Sequence, residues 1–324
     1  MTRRWLWPMM VAVACALAIG LLALGDIHLS LTQVAGALFG GSDRIANLVV
    51  WRMRLPYLVA ACIVGAGLAT SGMLLQQLTH NPLADSSLLG VNAGASLGAV
   101  LLIAASARWS GLSVQRWLPL AVVLGACLAL LTVHQRQSGS RLQLLLRGVA
   151  LTAMLNGVIL LLQLNMNTFD FERVLVWLSG SFWNVDWAFL RGYGLALLAL
   201  LVVVAGLIRP LEMLVLGDAM AISAGVAMRR LRLAVLVLAI ATAAVAVAVG
   251  GAISLVGLMA PNIAKRMIGS HFAVRWPLSI LLGIIIMLGA TIVANNLFLP
   301  ATLPVGLVVA VITMPYFLLQ LFHE

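Results

Sequence analysis

Long apolar stretches that lack charged residues alternate with short polar segments along the whole chain. The charge-free stretches cover residues 5–25, 55–84, 86–107, 117–135, 148–169, 192–208, 233–264 and 276–323. About 20 apolar residues in a helix cross the roughly 30 Å of hydrocarbon in a bilayer. Each of the first six stretches therefore predicts one membrane-spanning helix.

The last two stretches are too long for a single spanning helix each. Polar residues and prolines at 295–304 divide the final stretch, which therefore predicts two helices. In the stretch before it, glycines and a proline at 250–261 predict a full helix, a bend, and a short second helix that ends near Ile268. The whole pattern predicts an all-α fold of about ten transmembrane helices, one of them short.

The amino-acid composition excludes a soluble globular protein. Of the 324 residues, 63% are hydrophobic and only 9% are charged, whereas a soluble domain has roughly 25% charged residues. On a soluble protein, the net charge of +10 would indicate a nucleic-acid ligand, but here the basic residues are spread along the ends of the apolar stretches. We therefore expect no nucleic-acid partner, and we interpret the arginines as residues that set membrane orientation.

The distribution of basic residues predicts the side of the membrane on which each polar segment lies. With the N-terminus inside, the inner segments carry more basic residues than the outer ones, in agreement with the positive-inside rule. An even number of helices then places both termini in the cytoplasm. We expect residues 1–324 to form a single transmembrane domain whose first apolar stretch is a retained helix and not a signal peptide.

The chain lacks the residues that would power transport on its own. All nine acidic residues lie outside the predicted spans, which argues against a proton relay, although backbone carbonyls could still bind Na⁺. No phosphate-binding P-loop is present, because the single lysine, Lys265, stands between Ala264 and Arg266. If the protein is a pump, its energy must come from another polypeptide.

No residue pattern predicts catalysis or metal binding. Cys15, Cys62 and Cys127 all lie in apolar stretches, where cysteine acts as a small packing residue. Neither a metal-ligand spacing nor a pairing of nucleophile and base stands out. We therefore expect no enzymatic activity, no bound metal and no cofactor in this chain.

The largest inner segment, about 208–230, contains a candidate docking helix. Asp218 suits the position that caps a helix start, and Gly225 suits the left-handed position after a helix end. The helix between them has about two turns and is too short to be stable alone. The sequence leaves two possibilities, a docking site for a partner that supplies energy and an interfacial helix that lies on lipid.

A few polar side chains lie within the predicted spans. Thr152, Asn156 and Gln163 are spaced so that they share one face of the fifth predicted helix, and Gln76 lies in the second. Polar groups at membrane depth face protein or water and not lipid. These residues either form hydrogen bonds between helices or line a translocation path.

Several short motifs occur in a defined order along the chain. They are W-R-M-R-L-P at 51–56, G-A-G-L-A at 65–69, N-P-L-A at 81–84, L-L-G-V at 88–91, W-L-S-G-S at 177–181, L-G-D at 216–218, S-L-V-G-L-M-A-P at 254–261 and L-P-V-G at 303–306. Together they resemble the FecCD-type permease family, the membrane subunits of bacterial ATP-binding-cassette (ABC) importers for iron-siderophores, haem and vitamin B12. The resemblance covers nearly the whole chain.

The resemblance implies ten helices per subunit, a second permease subunit that is identical or different, two cytoplasmic ABC ATPases, and a periplasmic or extracellular solute-binding protein. It also implies a coupling segment at about 211–228 that is seated in the ATPase. Its expected contact residues are Leu216, Gly217, Asp218, Ala219, Met220, Ala221 and Gly225. The implied inner gate is formed by Ser138, Gly139, Ser140 and Arg141, and Arg54 matches a position that docks the binding protein.

The chain departs from the family pattern at several of its motif positions. Asn262 stands where the family usually has histidine, and Tyr57 and Asn295 stand where a relative is basic. The docking chemistry is therefore only partly carried over. One hypothesis is that this chain is half of a heterodimer whose other subunit holds the missing charges.

The motifs and the absence of an internal energy source lead to one functional expectation. We expect a permease subunit in the bacterial cytoplasmic membrane that imports a ferric siderophore using ATP hydrolysed by a separate subunit. A vitamin B12 or haem importer is the alternative within this class. An ion-coupled secondary transporter is the alternative from a different class.

Overall fold

The computed structural model describes residues 3–41, 43–87, 90–109, 111, 113–134, 141–182, 185–215, 218–223, 225–299 and 301–322. Helices make up most of these residues, and the only β pairing among them is an isolated bridge between Phe298 and Ala301. The α-helices are α1 (Arg3–Ala23), α2 (Leu31–Phe39), α3 (Arg44–Leu48), α4 (Leu55–Thr79), α5 (Val91–Arg108), α6 (Val114–His134), α7 (Arg141–Leu164), α8 (Thr168–Leu178), α9 (Trp187–Gly206), α10 (Ile208–Val215), α11 (Asp218–Ser223), α12 (Met228–Gly250), α13 (Val256–Ile268), α14 (Phe272–Asn296) and α15 (Val305–Phe322). A π-helical turn, Val49–Arg54, joins α3 to α4.

The predicted set of spans is confirmed within the described residues. Six helical segments, those of α1, α4, α7, α9, α12 and α14, are long and apolar enough to cross a membrane, and α5, α6 and α15 are shorter apolar helices. The predicted bend follows α12, and the short helix after it is α13, which ends at Ile268. The fold is therefore an all-α bundle with one short helix, as its apolar pattern predicts.

Short helices also form in segments that the charge pattern predicts to lie outside the membrane but for which it predicts no secondary structure. In α2, Ser30 accepts a hydrogen bond from the Gln33 N–H while the Gln33 side chain accepts one from the Ser30 N–H. Such reciprocal capping satisfies two backbone groups at a helix start. The indole of Trp51 donates to the Ala37 carbonyl, and the indole of Trp187 donates to the Trp51 carbonyl. These bonds tie α2 and the π-helical turn to α9.

The helix at the centre of the bundle is α4, which packs against α12, α13 and α14. Two pairs of glycines allow this approach. A Cβ on Gly72 would overlap the backbone of Gly257 in α13, and a Cβ on Gly65 would overlap the backbone of Gly283 in α14. Small residues let membrane helices pack at short distance, which increases their van der Waals contact. These contacts fix where α13 and α14 cross α4.

The α7 helix lies at the edge of the bundle. Leu155 and Ile159 are its buried apolar residues among those whose side chains are described, while Met154, Leu160 and Leu161 are exposed. Most of the described surface of α7 is therefore not covered by other helices of this chain.

Candidate functional site

The C-terminal half of α4 contributes to a buried polar cluster that holds three helices together. The guanidinium of Arg275, in the first turn of α14, donates to Gln76 Oε1 at 3.0 Å and to the Pro261 carbonyl at 3.2 Å. Gln76 in turn donates through Nε2 to the Leu258 carbonyl at 3.3 Å. Gln76, a predicted path residue, therefore lies between α4, α13 and α14 and bridges them.

The loop between α4 and α5 is bonded to α13 and to the bend before it. Asn262 of α13 donates to the Pro82 carbonyl at 2.8 Å. Asn92, at the start of α5, donates to the Ile253 carbonyl at 3.1 Å and accepts from Ser86 Oγ. Asn262, one of the departures from the resembled motif, therefore attaches α13 to the loop between α4 and α5.

The same loop buries a carboxyl group at the start of α13. Asp85 is 2% exposed, and its Oδ2 accepts hydrogen bonds from the backbone and hydroxyl of Ser87. Its Oδ1 has no hydrogen-bond partner among the described residues and lies against Gly257. Burial raises the pKa of the Asp85 carboxyl above its usual value, and the bonds from Ser87 oppose that rise.

The buried positions of the two charged residues, Arg275 and Asp85, were not predicted from the sequence. Arg275 and Asp85 each lie in a short polar segment between two charge-free stretches, where water is the expected environment, yet both are buried. Arg275 is buried because distant residues, Gln76 and Pro261, accept its hydrogen bonds. The partner of Asp85 is instead the nearby Ser87, and a buried charged group persists when such partners are present. The signal in the sequence was weak, since Arg275 directly precedes a long apolar stretch.

The predicted coupling segment contains two short helices, α10 and α11. The α10 helix is anchored, because Leu211 and Leu214 are buried in the main hydrophobic core. The α11 helix starts at Asp218 itself, not after it, and has six residues. Ala221 is buried, and Gly225 follows α11 with the predicted left-handed conformation, at φ 81°.

Part of this segment and most of the predicted gate fall outside the described residues. Leu216 and Gly217 belong to this group, as do Ser138, Gly139 and Ser140. The fourth gate residue, Arg141, is the first residue of α7. For Asp218, Ala219 and Met220 the helical backbone alone is described. The roles of all these residues stay predictions.

The α7 helix brings three predicted path residues to one side. Thr152 donates to the Gly148 carbonyl at 2.9 Å and lies 3.5 Å from the Ser87 carbonyl. Asn156, one turn later, is exposed, and Gln163 is partly exposed. An exposed amide on a helix of this length requires a polar or protein environment, because lipid offers it no hydrogen bond.

Arg54 turns inward instead of outward. Its side chain is 9% exposed and donates hydrogen bonds to the carbonyls of Leu22 and Ile27. Gly25 packs directly on the guanidinium, so close that a Cβ there would overlap it. Arg54 therefore holds the loop between α1 and α2, whereas Arg52, two residues earlier, is exposed.

Replacing Arg54 with alanine is expected to loosen the loop at 22–27, because both carbonyls lose a charged donor. We expect a loss of about 2 kcal/mol in local stability, measured as faster amide hydrogen exchange at these residues. Arg52→Ala is the matched control, since Arg52 is exposed, and it should leave exchange there unchanged. Equal exchange in both variants would contradict the role of Arg54 as a loop anchor.

Among the described residues, no group of three or more histidine, cysteine, aspartate or glutamate side chains could hold a metal ion. The three cysteines are free thiols. The polar groups that do converge bond to each other and to backbone carbonyls.

Comparison with known proteins places the chain in a single family. Residues 10–323 match the FecCD transport family. The chain is 33% identical over 303 residues to FhuG, the iron(3+)-hydroxamate import system permease protein of Bacillus subtilis (strain 168), covering 92% of this chain and 90% of that protein. It is 33% identical over 319 residues to BtuC, the vitamin B12 import system permease protein of Klebsiella pneumoniae, covering 98% and 93%.

The same relationship holds at the level of structure. A solved structure described as an inward-facing conformation of a metal-chelate type ABC transporter matches with a TM-score of 0.85 at 29% identity, covering 97% of this chain and 98% of that chain. With its apolar helices, the chain is a multi-pass protein of the inner membrane. The two relatives FhuG and BtuC are permease proteins of import systems, and the chain belongs to the FecCD transport family.

Proposed function

We propose that this chain is the permease subunit that takes a ferric siderophore from an outer binding protein and passes it to the cytoplasm, driven by two separate ABC ATPases. The observation that carries the proposal is α11. It is a six-residue helix between the core-anchored α10 and the spanning α12. So short a helix is marginal without a partner, and a cytoplasmic ATPase supplies one.

The segment at about 211–228 acts as the coupling element within this proposal. Leu211 and Leu214 fasten α10 to the core, so a force on α11 reaches the helix bundle through a short connection. Residues 1–324 form one permease domain with both termini in the cytoplasm. This arrangement puts α11 on the ATPase side.

The α7 helix supports a translocation path at a subunit interface. Its exposed Asn156 and partly exposed Gln163 need partners other than lipid. A second permease subunit, identical or different, covers this face and leaves a polar path between the two subunits. Residues 138–141, just before and at the start of α7, close the inner end of that path.

The outer surface docks the solute-binding protein. Arg54 contributes by holding the loop at 22–27 in place, because its guanidinium bonds two carbonyls of that loop. The exposed Arg52 beside it offers the positive charge to an acidic partner surface.

The substrate class is tested with the reconstituted complex. The chain is placed in vesicles with its second subunit, the ATPase and the binding protein, and uptake of radioactive iron in a hydroxamate siderophore is followed. We expect uptake that needs ATP inside and the binding protein outside. A complex with two copies of this chain alone would contradict the heterodimer hypothesis, and accumulation by the chain alone under an ion gradient would contradict the whole proposal.

Vitamin B12 is the second candidate substrate. It is favoured by the similarity to the BtuC protein, which extends over 98% of this chain. The same vesicles, supplied from outside with cobalamin or haem in place of the iron chelate, separate the candidates. Uptake of cobalamin without uptake of the ferric siderophore would make vitamin B12 the substrate and contradict the siderophore proposal.

A further inference from the structure

One carboxylate of the coupling segment bonds to α14. Glu212 lies in α10, directly after the fully buried Leu211. Its Oε1 accepts a hydrogen bond from the Ala273 N–H at 2.8 Å, and its Oε2 lies 3.8 Å from His271 Nδ1. The Glu212 side chain is 24% exposed, and that of His271 is 83% exposed.

This carboxylate occupies the start of α14. His271 is the residue before the helix, and Ala273 is its second residue. The backbone N–H groups in the first turn of a helix lack partners within the helix, and the helix dipole favours negative charge there. His271, at the capping position of α14, forms no capping side-chain bond. Glu212 of α10 therefore caps the start of α14 in its place.

The same turn of α14 continues into the buried polar cluster. Arg275 is two residues beyond Ala273 and bonds both Gln76 of α4 and the Pro261 carbonyl of α13. The contacts thus run without interruption from α10, through the first turn of α14, to the central helix and the short helix.

We propose that Glu212 is a positioning residue that fastens the coupling segment to the first turn of α14, so that movement of the ATPase reaches α4 and α13 through Arg275. This inference rests on the proposed function of the segment at 211–228. The operative contact is the hydrogen bond from Ala273, because His271 is exposed to solvent, where screening weakens an ion pair.

Three substitutions separate the hydrogen bond from the charge. Glu212→Gln keeps an acceptor oxygen at the same reach and removes the charge. Glu212→Asp keeps the charge and withdraws the oxygens by one methylene, and Glu212→Ala removes both. The full chain, assembled in its complex, is assayed for substrate transported per ATP hydrolysed, and the chain itself is assayed for amide hydrogen exchange at residues 272–275.

The alanine and aspartate variants are expected to lower transport per ATP by roughly fivefold, the factor that corresponds to one lost hydrogen bond, and to speed exchange at Ala273. The glutamine variant should stay near the wild type in both measurements. A purely electrostatic role would reverse the order of the aspartate and glutamine variants and overturn the proposal, as would unchanged values in all three.

The two measurements also distinguish this inference from the proposed function. Hydrogen exchange reports the contact between Glu212 and α14 without any ATPase. If exchange responds as expected while the wild-type complex shows no ATP-driven uptake, the contact is real and the transport proposal fails. If wild-type uptake is ATP-driven and neither exchange nor transport per ATP changes in the variants, the inference fails and the proposed function stands.

Discussion

Replacing Gly72 with alanine is expected to destabilise the protein by about 3 kcal/mol or more, as overpacking does in a rigid core. The added methyl group would overlap the carbonyl and Cα of Gly257. Both contact partners are backbone atoms of packed helices, so no flexible side chain can move aside. To accommodate the methyl group, α13 would have to separate from α4. The expected readout is a lower unfolding temperature of the purified chain in detergent.

Gly289→Ala is the matched control for this prediction. Gly289 lies in the same bundle, in α14, and nothing is within 4 Å of where its Cβ would be. Alanine also favours the helical backbone over glycine, by up to about 1 kcal/mol. This variant should therefore unfold at or above the wild-type temperature. Equal loss of stability in both variants would show that the contact between α4 and α13 is not tight.

The charge-reversing substitution Asp218→Arg is expected to reduce uptake by about tenfold or more, equivalent to at least 1.4 kcal/mol at the coupling step. Asp218 is the first residue of α11, where an acidic side chain favours the helix and a cation opposes the helix dipole. In addition, the reversed charge alters the surface that we propose to contact the ATPase. Uptake per complex, in cells or vesicles, is the measurement.

Two controls accompany the Asp218 variant. The protein should still insert, assemble with its second subunit, and retain the binding protein at its outer face, because α11 is remote from that surface in the proposed topology. Glu324→Arg makes the same charge reversal at the C-terminus, expected on the same side of the membrane, and should leave uptake intact. Normal uptake by Asp218→Arg would remove α11 from the coupling role.

The spanning helices could be predicted from the sequence because the bilayer imposes a minimum length on every apolar helix. The break between α12 and α13 was also visible, since glycines at 250 and 251 mark the bend. The short helices α2, α3, α8 and α10 were not predicted as separate elements. They are short, and their stability comes from capping and tertiary contact more than from an apolar run.

The polar cluster could not be predicted for a different reason. A charged residue at the end of an apolar stretch is normally expected to face water. Arg275 is buried because Gln76, which lies 199 residues away in sequence, accepts its hydrogen bond. Arg54 likewise finds its acceptors in the loop after α1. In a single sequence, no local pattern reveals such distant partners.

The outward-facing amide of Asn156 on α7 has a consequence for biogenesis. A copy of the chain without its companion subunit would present that amide to hydrocarbon, where it stays unbonded. An amide that enters an apolar environment without a hydrogen-bond partner costs free energy. In the proposed assembly, this cost favours pairing with the companion over insertion of the chain alone.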